Sequence, residues 1–251
     1  MIRFSDLQNK KIKTPLGNIN YRIHYSSKNT DNILVLIHGL AASGKSWTRF
    51  VEQLPDTFTI IIPDLLGHGD SDAPKIDYHV SLQEEIVRDI LENEQIKKYS
   101  IMGHSYGGWV AALLARSNPS ITALILEDAG GLKGFFDEVV GTEKREQYKK
   151  DLLKKALQIN ANEYVVKSII EDEFSSSQIT ENDLQSITAP TLIIWGDEDT
   201  TIDKKFAYIF KKYIHNCSVK IIKNSKHTSH YSNPKETRDI VVNFLELLIK
   251  K

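Results

Sequence analysis

The segment Gly103-His104-Ser105-Tyr106-Gly107-Gly108 decides how this chain folds. The mostly apolar stretch 99–102 before it predicts a buried strand, and the apolar run 109–115 after it is typical of a helix. A serine between two such elements, flanked by small glycines that let them approach each other, indicates a nucleophile elbow. The serine hydroxyl would lie at a helix N-terminus, where backbone N–H groups and the helix dipole favour negative charge. A plain Gly/Ser turn with an N-cap serine is the alternative, and the strand-before, helix-after context disfavours it.

Short apolar runs recur on both sides of this segment. Ile33–Ile37 is unbroken and bounded by turn residues, which is typical of a strand buried on both faces of a parallel sheet. Similar runs stand at 59–62, 100–102, 123–126, 192–195 and 219–222, with helical patterns at about 44–54, 81–95, 105–117, 203–213 and 235–249. This alternation predicts an α/β fold with a mostly parallel central sheet and helices on both faces. Residues 11–25 alternate apolar and polar side chains and predict an additional hairpin.

The interval 131–186 breaks the alternation of strands and helices. It is helical in pattern and rich in charge, and its charged side chains are expected to face water. Two apolar stripes in this interval are nevertheless expected to pack against another surface. The residues expected to form these apolar faces are Tyr148, Leu152, Tyr164 and Ile169. We therefore expect a small helical lid over the ends of the strands. The expected division is a core of residues 1–130 and 187–251 with a lid insertion of residues 131–186.

Composition and charge narrow the class of protein. Of 251 residues, 41% are apolar and 26% are charged, as in an ordinary soluble protein. The 32 Lys+Arg against 33 Asp+Glu leave a formal charge of −1, which gives no reason to expect nucleic acid as a partner. The longest apolar runs, about five residues, fall far short of the roughly 18 that cross a bilayer, and the first residues lack a secretory signal. With a single cysteine, Cys217, no internal disulfide can form. We expect a cytoplasmic protein that acts on a small molecule and has no membrane partner.

A catalytic serine needs a base, and the base needs an orienting acid. His227 is the leading base candidate because it follows the last strand-like run by a short loop. That loop lies at the carboxyl end of a strand, the edge where open α/β sheets bind ligands. His230 is a nearby alternative. The apolar strand ending at Gly196 delivers the acid candidates, Asp197 and Asp199.

Four motifs in this order resemble the α/β-hydrolase fold family, in its branch of lid-bearing serine esterases, C–C hydrolases and proline iminopeptidases. They are His38-Gly39-Leu40, the segment 63–71, the elbow, and the strand-end segments at Gly196 and His227. The resemblance implies Ser105 as nucleophile, His227 as base and Asp199 as acid, since the family's acid falls three residues after this strand's glycine. It also implies an oxyanion hole formed by the backbone N–H groups of Leu40 and Tyr106. Because some members carry the acid after the preceding strand, Glu127 and Asp128 stay open as alternatives.

Other histidines and two departures from the family pattern complete the motif analysis. His38, His68 and His104 stand at recurrent motif positions and are expected to hydrogen-bond backbone groups around the site. Lys226 stands where the family usually has glycine before the catalytic histidine, and Ser232 stands where an acidic residue is common. Both departures predict a differently shaped histidine loop.

The activity implied by this resemblance is that of a cofactor-free serine hydrolase, a carboxylesterase on small or medium acyl esters. The alternative is hydrolysis of a carbon–carbon bond, or a lyase step as in the family's menaquinone-pathway member. Anionic substrates of that kind need basic residues, for which Arg116 and the lid lysines are candidates. A non-catalytic receptor on the same fold is a third hypothesis. Neither a metal site nor a phosphate or dinucleotide loop is predicted, because His227 and His230 lack a clear carboxylate or cysteine partner and no glycine-rich fingerprint occurs.

Overall fold

The strands form one mostly parallel sheet in the computed structural model, which describes residues 1–28, 32–134, 142–159, 161–175 and 177–249. They are β1 (Gln8–Thr14), β2 (Gly17–His24), β3 (Ile33–Ile37), β4 (Thr59–Pro63), β5 (Tyr99–His104), β6 (Ile121–Glu127), β7 (Thr191–Gly196) and β8 (Cys217–Ile222). Their order within these residues is β1-β2-β4-β3-β5-β6-β7-β8. The pairs β1/β2 and β2/β4 are antiparallel, and the other pairs are parallel. The predicted central sheet and N-terminal hairpin are confirmed.

Helices cover both faces of this sheet, as predicted. The described helices are α1 (Thr48–Val51), α2 (Val80–Asn93), α3 (Tyr106–Leu114), α4 (Thr142–Leu157), α5 (Glu163–Asp172), α6 (Glu181–Gln185), α7 (Lys205–Tyr213), α8 (Ser229–Ser232) and α9 (Pro234–Ile249). In β3, Leu34 and Leu36 belong to the apolar cluster shared with α1 and α9. Val35 and Ile37 belong to the cluster shared with α2, α3 and α7. Within the described ranges, every helix is too short or too polar to cross a membrane.

Two helices are shorter than their sequence patterns indicate. The helix predicted at 44–54 is a 3-10 turn, Gly44–Trp47, followed by the single turn of α1. The helix predicted at 105–117 ends at Leu114, because Arg116 leaves it to form an isolated bridge with Ile187.

The strand register brings several loops to one edge of the sheet. Ile37 pairs with Gly103, His104 pairs with Glu127, and Gly196 pairs with Ile222. These residues lie at or near the carboxyl ends of parallel strands. The loops that follow β3, β5, β6, β7 and β8 therefore meet at the edge where α/β sheets bind ligands.

Helices α4, α5 and α6 lie between β6 and β7 in the chain, in the interval expected to form a lid. Ala156 of α4 packs with Val166 and Ile170 of α5 in a small apolar cluster. Leu40 and Ala41, in the loop after β3, pack against the same cluster. The interval thus covers a loop at the carboxyl edge of the sheet. Residues 135–141, 160 and 176 of the expected lid lie outside the described residues.

Polar contacts anchor α5 to the core. The carboxylate of Asp172 accepts the Val80 N–H at 2.8 Å and contacts His79 Nδ1 at 2.9 Å. The apolar face of α5 differs from the expected one at a single position: Tyr164 is 41% exposed, whereas its neighbour Val165 is buried. Adjacent helical residues point about 100° apart, so Tyr164 turns outward when Val165 packs inward.

Substitution of Gly103 by alanine is expected to destabilise the fold. A Cβ at this position would lie 2.1 Å from the carbonyl oxygen of Gly107, a backbone atom that cannot yield without opening the elbow. We expect the free energy of unfolding, measured by urea denaturation, to fall by about 3 kcal/mol. Gly134→Ala is the matched control, because no described atom lies within 4 Å of its added Cβ. Equal stability of the two variants would contradict the close packing at the elbow.

Candidate active site

Ser105 occupies the turn between β5 and α3 in a strained backbone conformation. Its φ of 52° and ψ of −114° are rare for a residue with a side chain. Surrounding bonds fix this geometry: the Ser105 N–H donates to the Glu127 carbonyl at 3.0 Å, and the Ser105 carbonyl accepts from Trp109 at 3.1 Å and Gly130 at 3.0 Å. The local structure is the sharp strand–turn–helix that the sequence predicts.

His227 and Asp199 reach Ser105 from two other loops. His227 Nε2 lies 3.0 Å from Ser105 Oγ, and His227 Nδ1 lies 2.7 Å from Asp199 Oδ2. The other oxygen of Asp199 accepts the N–H groups of Thr201 at 2.7 Å and Ile202 at 3.1 Å. The Asp199 side chain has no exposed surface, and the His227 side chain is 19% exposed. The structure therefore brings together the three side chains that the sequence analysis singled out.

The alternative base, His230, lies in a different pair. Its Nδ1 contacts Glu127 Oε2 at 2.9 Å, and its N–H donates to Glu127 Oε1 at 2.7 Å. Burial opposes ionisation of Glu127, but the charge and hydrogen bonds of His230 lower the pKa of that carboxyl. His230 also stacks against Trp47, with ring centroids 4.1 Å apart. The side chains of His230 and Glu127 are both buried. The described hydrogen bonds join neither side chain to Ser105 Oγ, which pairs with His227 instead.

Asp128 and Asp197, the other acid candidates, do not bond His227 either. Asp128 is buried, and one of its oxygens accepts the Gly196 N–H at 2.9 Å. Burial, together with the charge of Glu127, raises the pKa of Asp128 well above its ordinary value, which favours the neutral acid. Asp197 contacts the Ser225 N–H at 3.4 Å at the base of the histidine loop.

The loop after β3 lies against Ser105. A Cβ built on Gly39 would stand 3.3 Å from the Ser105 Cβ. His38 fixes this loop, because its Nδ1 donates to the Gly39 carbonyl at 2.9 Å while its Nε2 accepts an N–H from the loop after β4 at 3.1 Å. In the described structure, neither the N–H of Leu40 nor that of Tyr106 donates to a protein acceptor. Two uncommitted N–H groups thus belong to the segments that meet at Ser105.

Asp64, directly after β4, organises the neighbouring loops, a role that the sequence analysis does not assign. Its buried carboxylate accepts the N–H groups of Gly44 at 2.7 Å and Asp70 at 3.0 Å, and it contacts Arg22 at 3.3 Å. Burial opposes ionisation, but these backbone bonds and the nearby positive charge hold the pKa of Asp64 below its ordinary value. The carboxylate of Asp64 therefore links the loop after β4 to the loop that carries Leu40. The available sequence signal was the position of an aspartate directly after an apolar strand.

His104 and His227 belong to a group that could in principle hold a metal ion. Together with Asp128 they place one ligand atom each within 4.8 Å. Both ring nitrogens of His227 already contact Asp199 and Ser105, and His104 Nε2 donates to the His227 carbonyl at 2.6 Å. A cation here would have to displace one of these bonds. The hydrogen bond from His104 to the His227 carbonyl also agrees with the expectation that His104 hydrogen-bonds a backbone group around the site.

The two departures from the family pattern are accommodated locally. Lys226 is exposed, and its backbone carbonyl packs so closely on Gly196 that a Cβ there would lie 2.3 Å away. Ser232 Oγ donates to the Thr228 carbonyl at 3.0 Å and lies 3.2 Å from Ser225 Oγ. Hydroxyl contacts therefore hold the histidine loop where an acidic residue is common in the family.

Comparison with known proteins places this architecture in a family. The model of the alpha/beta hydrolase fold family matches residues 32–162. An uncharacterized protein of Mycobacterium tuberculosis (strain H37Rv) is 28% identical in an alignment of 269 positions, gaps included, that covers 90% of this chain and 79% of the relative. A monoacylglycerol lipase of Xenopus laevis is 25% identical in an alignment of 273 positions that covers 91% of this chain and 80% of the lipase. Among solved structures, a membrane phospholipase A described as a bacterial virulence factor superposes with a TM-score of 0.80 at 25% identity, covering 98% of this chain and 87% of that one. With its sheet order and its elbow, this chain belongs to the α/β-hydrolase fold family.

Proposed function

We propose that this chain is a serine hydrolase that acts as a carboxylesterase on small or medium acyl esters. The observation that carries the proposal is the pair of contacts from Asp199 to His227 at 2.7 Å and from His227 to Ser105 at 3.0 Å. A nucleophile, a base and an orienting acid at these distances form the arrangement that activates a serine hydroxyl. Similarity to a monoacylglycerol lipase supports an ester as the substrate.

In the proposed acylation, Ser105 Oγ attacks the ester carbonyl carbon while His227 Nε2 accepts the hydroxyl proton. Asp199 stabilises the imidazolium that forms, and its own orientation is fixed by two backbone N–H bonds. The carbonyl oxygen becomes an oxyanion, which the N–H groups of Leu40 and Tyr106 bind. Each such donor contributes roughly 10²–10³ in rate.

The tetrahedral intermediate then collapses to an acyl-enzyme. His227 donates its proton to the leaving alcohol, and the acyl group remains on Ser105 Oγ. Water, deprotonated by His227, attacks this new ester. His227 then returns the proton to Ser105 Oγ as the bond to the acyl carbon breaks, which releases the carboxylic acid and restores the free serine. Every proton in this sequence moves through one imidazole, so the reaction requires no cofactor.

We propose that residues 131–186 act as a lid on a core of residues 1–130 and 187–251. The apolar cluster of α4 and α5 packs on Leu40 and Ala41, beside the oxyanion loop. An apolar lid surface at this point suits an acyl chain better than a charged substrate, because burial of a charge without a partner is costly.

Arg116, which the sequence analysis offers as a residue for binding an anionic substrate, instead pairs with two carboxylates of this chain. It contacts Asp183 at 3.1 Å and Glu84 at 3.4 Å.

A substrate panel tests this reaction. We expect the purified protein to hydrolyse nitrophenyl esters, with the highest kcat/KM at small or medium acyl length, and to leave a vinylogous diketone intact. Turnover of the diketone without ester hydrolysis would replace the proposal by carbon–carbon bond hydrolysis. A folded protein that turns over neither substrate would favour the non-catalytic receptor.

Substitution of Asp199 by asparagine is expected to lower kcat by roughly 10²–10⁴. An amide cannot stabilise the imidazolium of His227, and it favours the wrong tautomer of the ring. Asp197→Asn is the matched control, since the Asp197 carboxylate contacts the Ser225 N–H and has no hydrogen bond to His227, and it should cost much less activity on a nitrophenyl ester. A larger loss in Asp197→Asn or Asp128→Asn than in Asp199→Asn would move the acid to that residue.

A further inference from the structure

Asp128, directly after β6, carries a buried carboxyl group that the proposed reaction does not use. One of its oxygens, Oδ1, accepts the Gly196 N–H at 2.9 Å. The other, Oδ2, is buried and receives no hydrogen bond in the described structure. Buried polar atoms are almost always paired, and an ionised oxygen at this position would have no donor. The unpaired Oδ2 therefore indicates that the oxygen is itself the donor.

The groups that face Asp128 offer it no N–H. The carboxyl group of Asp199 lies within hydrogen-bonding reach, and Glu127 places a second carboxyl group nearby. On another side, one oxygen of Asp128 and one ring nitrogen each of His104 and His227 lie within 4.8 Å of one another. Both ring nitrogens of His227 and the N–H of His104 already have other partners. Asp128 is thus surrounded by acceptors.

Asp199 has room for one more hydrogen bond. Its Oδ1 accepts the N–H groups of Thr201 at 2.7 Å and Ile202 at 3.1 Å, and its Oδ2 accepts His227 Nδ1–H at 2.7 Å. Each carboxylate oxygen has two lone pairs, so one on Oδ2 is unused. Because Asp199 is the acceptor in all three bonds, a proton between the two carboxyl groups belongs to Asp128.

Electrostatics favour the same location for the proton. Burial, followed by the charges of Glu127 and Asp199, raises the pKa of Asp128 well above its ordinary value. Glu127 is held as an ion by His230, which contacts both of its oxygens. Neighbouring carboxyl groups in a buried site do not all ionise, so Asp128 keeps its proton at neutral pH.

We propose that Asp128 is a positioning residue for the reaction, which as a neutral acid donates a hydrogen bond from Oδ2 to Asp199 and holds that carboxylate against His227. This inference rests on the proposed hydrolase function. The hydrogen bond withdraws negative charge from Asp199, so the His227 imidazolium is stabilised less than by an unshared carboxylate. His227 therefore stays neutral, and able to accept the Ser105 proton, down to lower pH.

Two variants of Asp128 test this role through the pH at which kcat/KM on a nitrophenyl ester rises, since that inflection reports the loss of a proton from the base. Asp128→Ala removes the donor and leaves the full charge on Asp199, so the inflection should rise by about one pH unit. Asp128→Asn should return it to the wild-type position, because the amide N–H donates to Asp199 and the amide oxygen accepts the Gly196 N–H. The Asp128 φ of 44° is left-handed, a conformation that asparagine tolerates as well as aspartate.

An ionised Asp128 predicts the opposite sign. Its charge would add to the stabilisation of the His227 imidazolium, so both Asp128→Ala and Asp128→Asn would lower the inflection. Asp239→Asn is the matched control, because the Asp239 side chain on α9 is 50% exposed, and its inflection should equal that of the wild type.

Infrared spectroscopy tests the proton on Asp128 without relying on activity. The spectrum of the wild type minus that of Asp128→Asn, at neutral pH, should contain the C=O stretching band of a protonated carboxyl group. The same difference for Asp239→Asn should contain the bands of a carboxylate instead. A carboxylate signal alone in the Asp128 difference would overturn the proposal.

The kinetic outcomes separate a positioning role from a structural one. A lower inflection in Asp128→Asn, or an unchanged inflection in folded Asp128→Ala, would overturn the positioning role, and a fall in melting temperature alone would show that Asp128 serves stability only. If Asp128→Ala does not fold, the inflection of Asp128→Asn and the infrared band decide. A folded wild type that hydrolyses no ester would overturn the proposed function itself, whereas an active wild type with either contrary result would overturn the role of Asp128 alone.

Discussion

Replacement of Ser105 by alanine is expected to abolish labelling by a fluorophosphonate and to lower kcat on a nitrophenyl ester by about 10⁵–10⁶-fold, as removal of one triad member does elsewhere. The physical reason is the loss of the one oxygen that His227 Nε2 can deprotonate, at 3.0 Å. Fluorophosphonates react with activated serines, so intact-mass measurement should show one adduct on the wild type and none on the variant.

Ser218→Ala is the matched control, since Ser218 is an exposed serine on β8 at the edge of the sheet. It should keep both labelling and turnover. A stoichiometric adduct on Ser105→Ala, or an active wild type that takes no label, would show that another residue is the nucleophile. A melting temperature of Ser105→Ala close to that of the wild type would exclude misfolding as the cause of the loss.

The strands of the sheet can be predicted from the sequence because a strand buried on both faces is a continuous run of apolar residues. Ile33–Ile37 is continuously apolar, and Leu34 to Ile37 are almost fully buried between the two helical layers. The elbow was predictable for a similar reason, since Gly103 and Gly107 are required by backbone approaches of 2.1 and 2.4 Å to an added Cβ. The approach at Gly103 is local, since it is to the Gly107 carbonyl, whereas the approach at Gly107 is to the Ile37 carbonyl at the end of β3.

Contacts between segments that are far apart in the sequence cannot be predicted from the pattern of neighbouring residues. Glu127 and Asp128 are neighbours in sequence, yet the first is stabilised as an ion by His230 and the second is favoured as a neutral acid. That difference depends on which loop each side chain meets, about 100 residues away along the chain in the case of Glu127 and His230. Asp64 likewise has partners at Arg22 and Gly44 that no spacing rule identifies.

Helix boundaries and helix orientation were predicted less well than strands. The spacing predicts Tyr164 in an apolar stripe, but packing of Val165 onto the core turns Tyr164 toward solvent. A tyrosine can lie on either side of such a boundary because its ring is apolar and its hydroxyl is polar. Tertiary packing, not periodicity, selects between the two orientations.

Replacement of His227 by alanine is expected to lower kcat by about 10⁵–10⁶-fold. No other described side chain lies within hydrogen-bond distance of Ser105 Oγ, so no base is left to accept the proton. The substitution also leaves a space between Asp199 and Ser105 with the shape of an imidazole ring. Added imidazole should occupy it, receive orientation from Asp199, and restore part of the activity in a concentration-dependent manner.

Two further histidine variants serve as controls for the rescue of His227→Ala by imidazole. His215→Ala removes an exposed histidine and should retain wild-type turnover that does not respond to imidazole. His230→Ala leaves Glu127 as a buried charge without its partner and should lower stability by about 3–5 kcal/mol, so its kinetics are measured well below its melting temperature. The residual activity of His230→Ala should be insensitive to imidazole, because that residue holds the loop through Glu127 and transfers no proton. Rescue of His230→Ala with no rescue of His227→Ala would assign the base to His230, whereas full activity of His227→Ala without imidazole would exclude a histidine at that position from the chemistry.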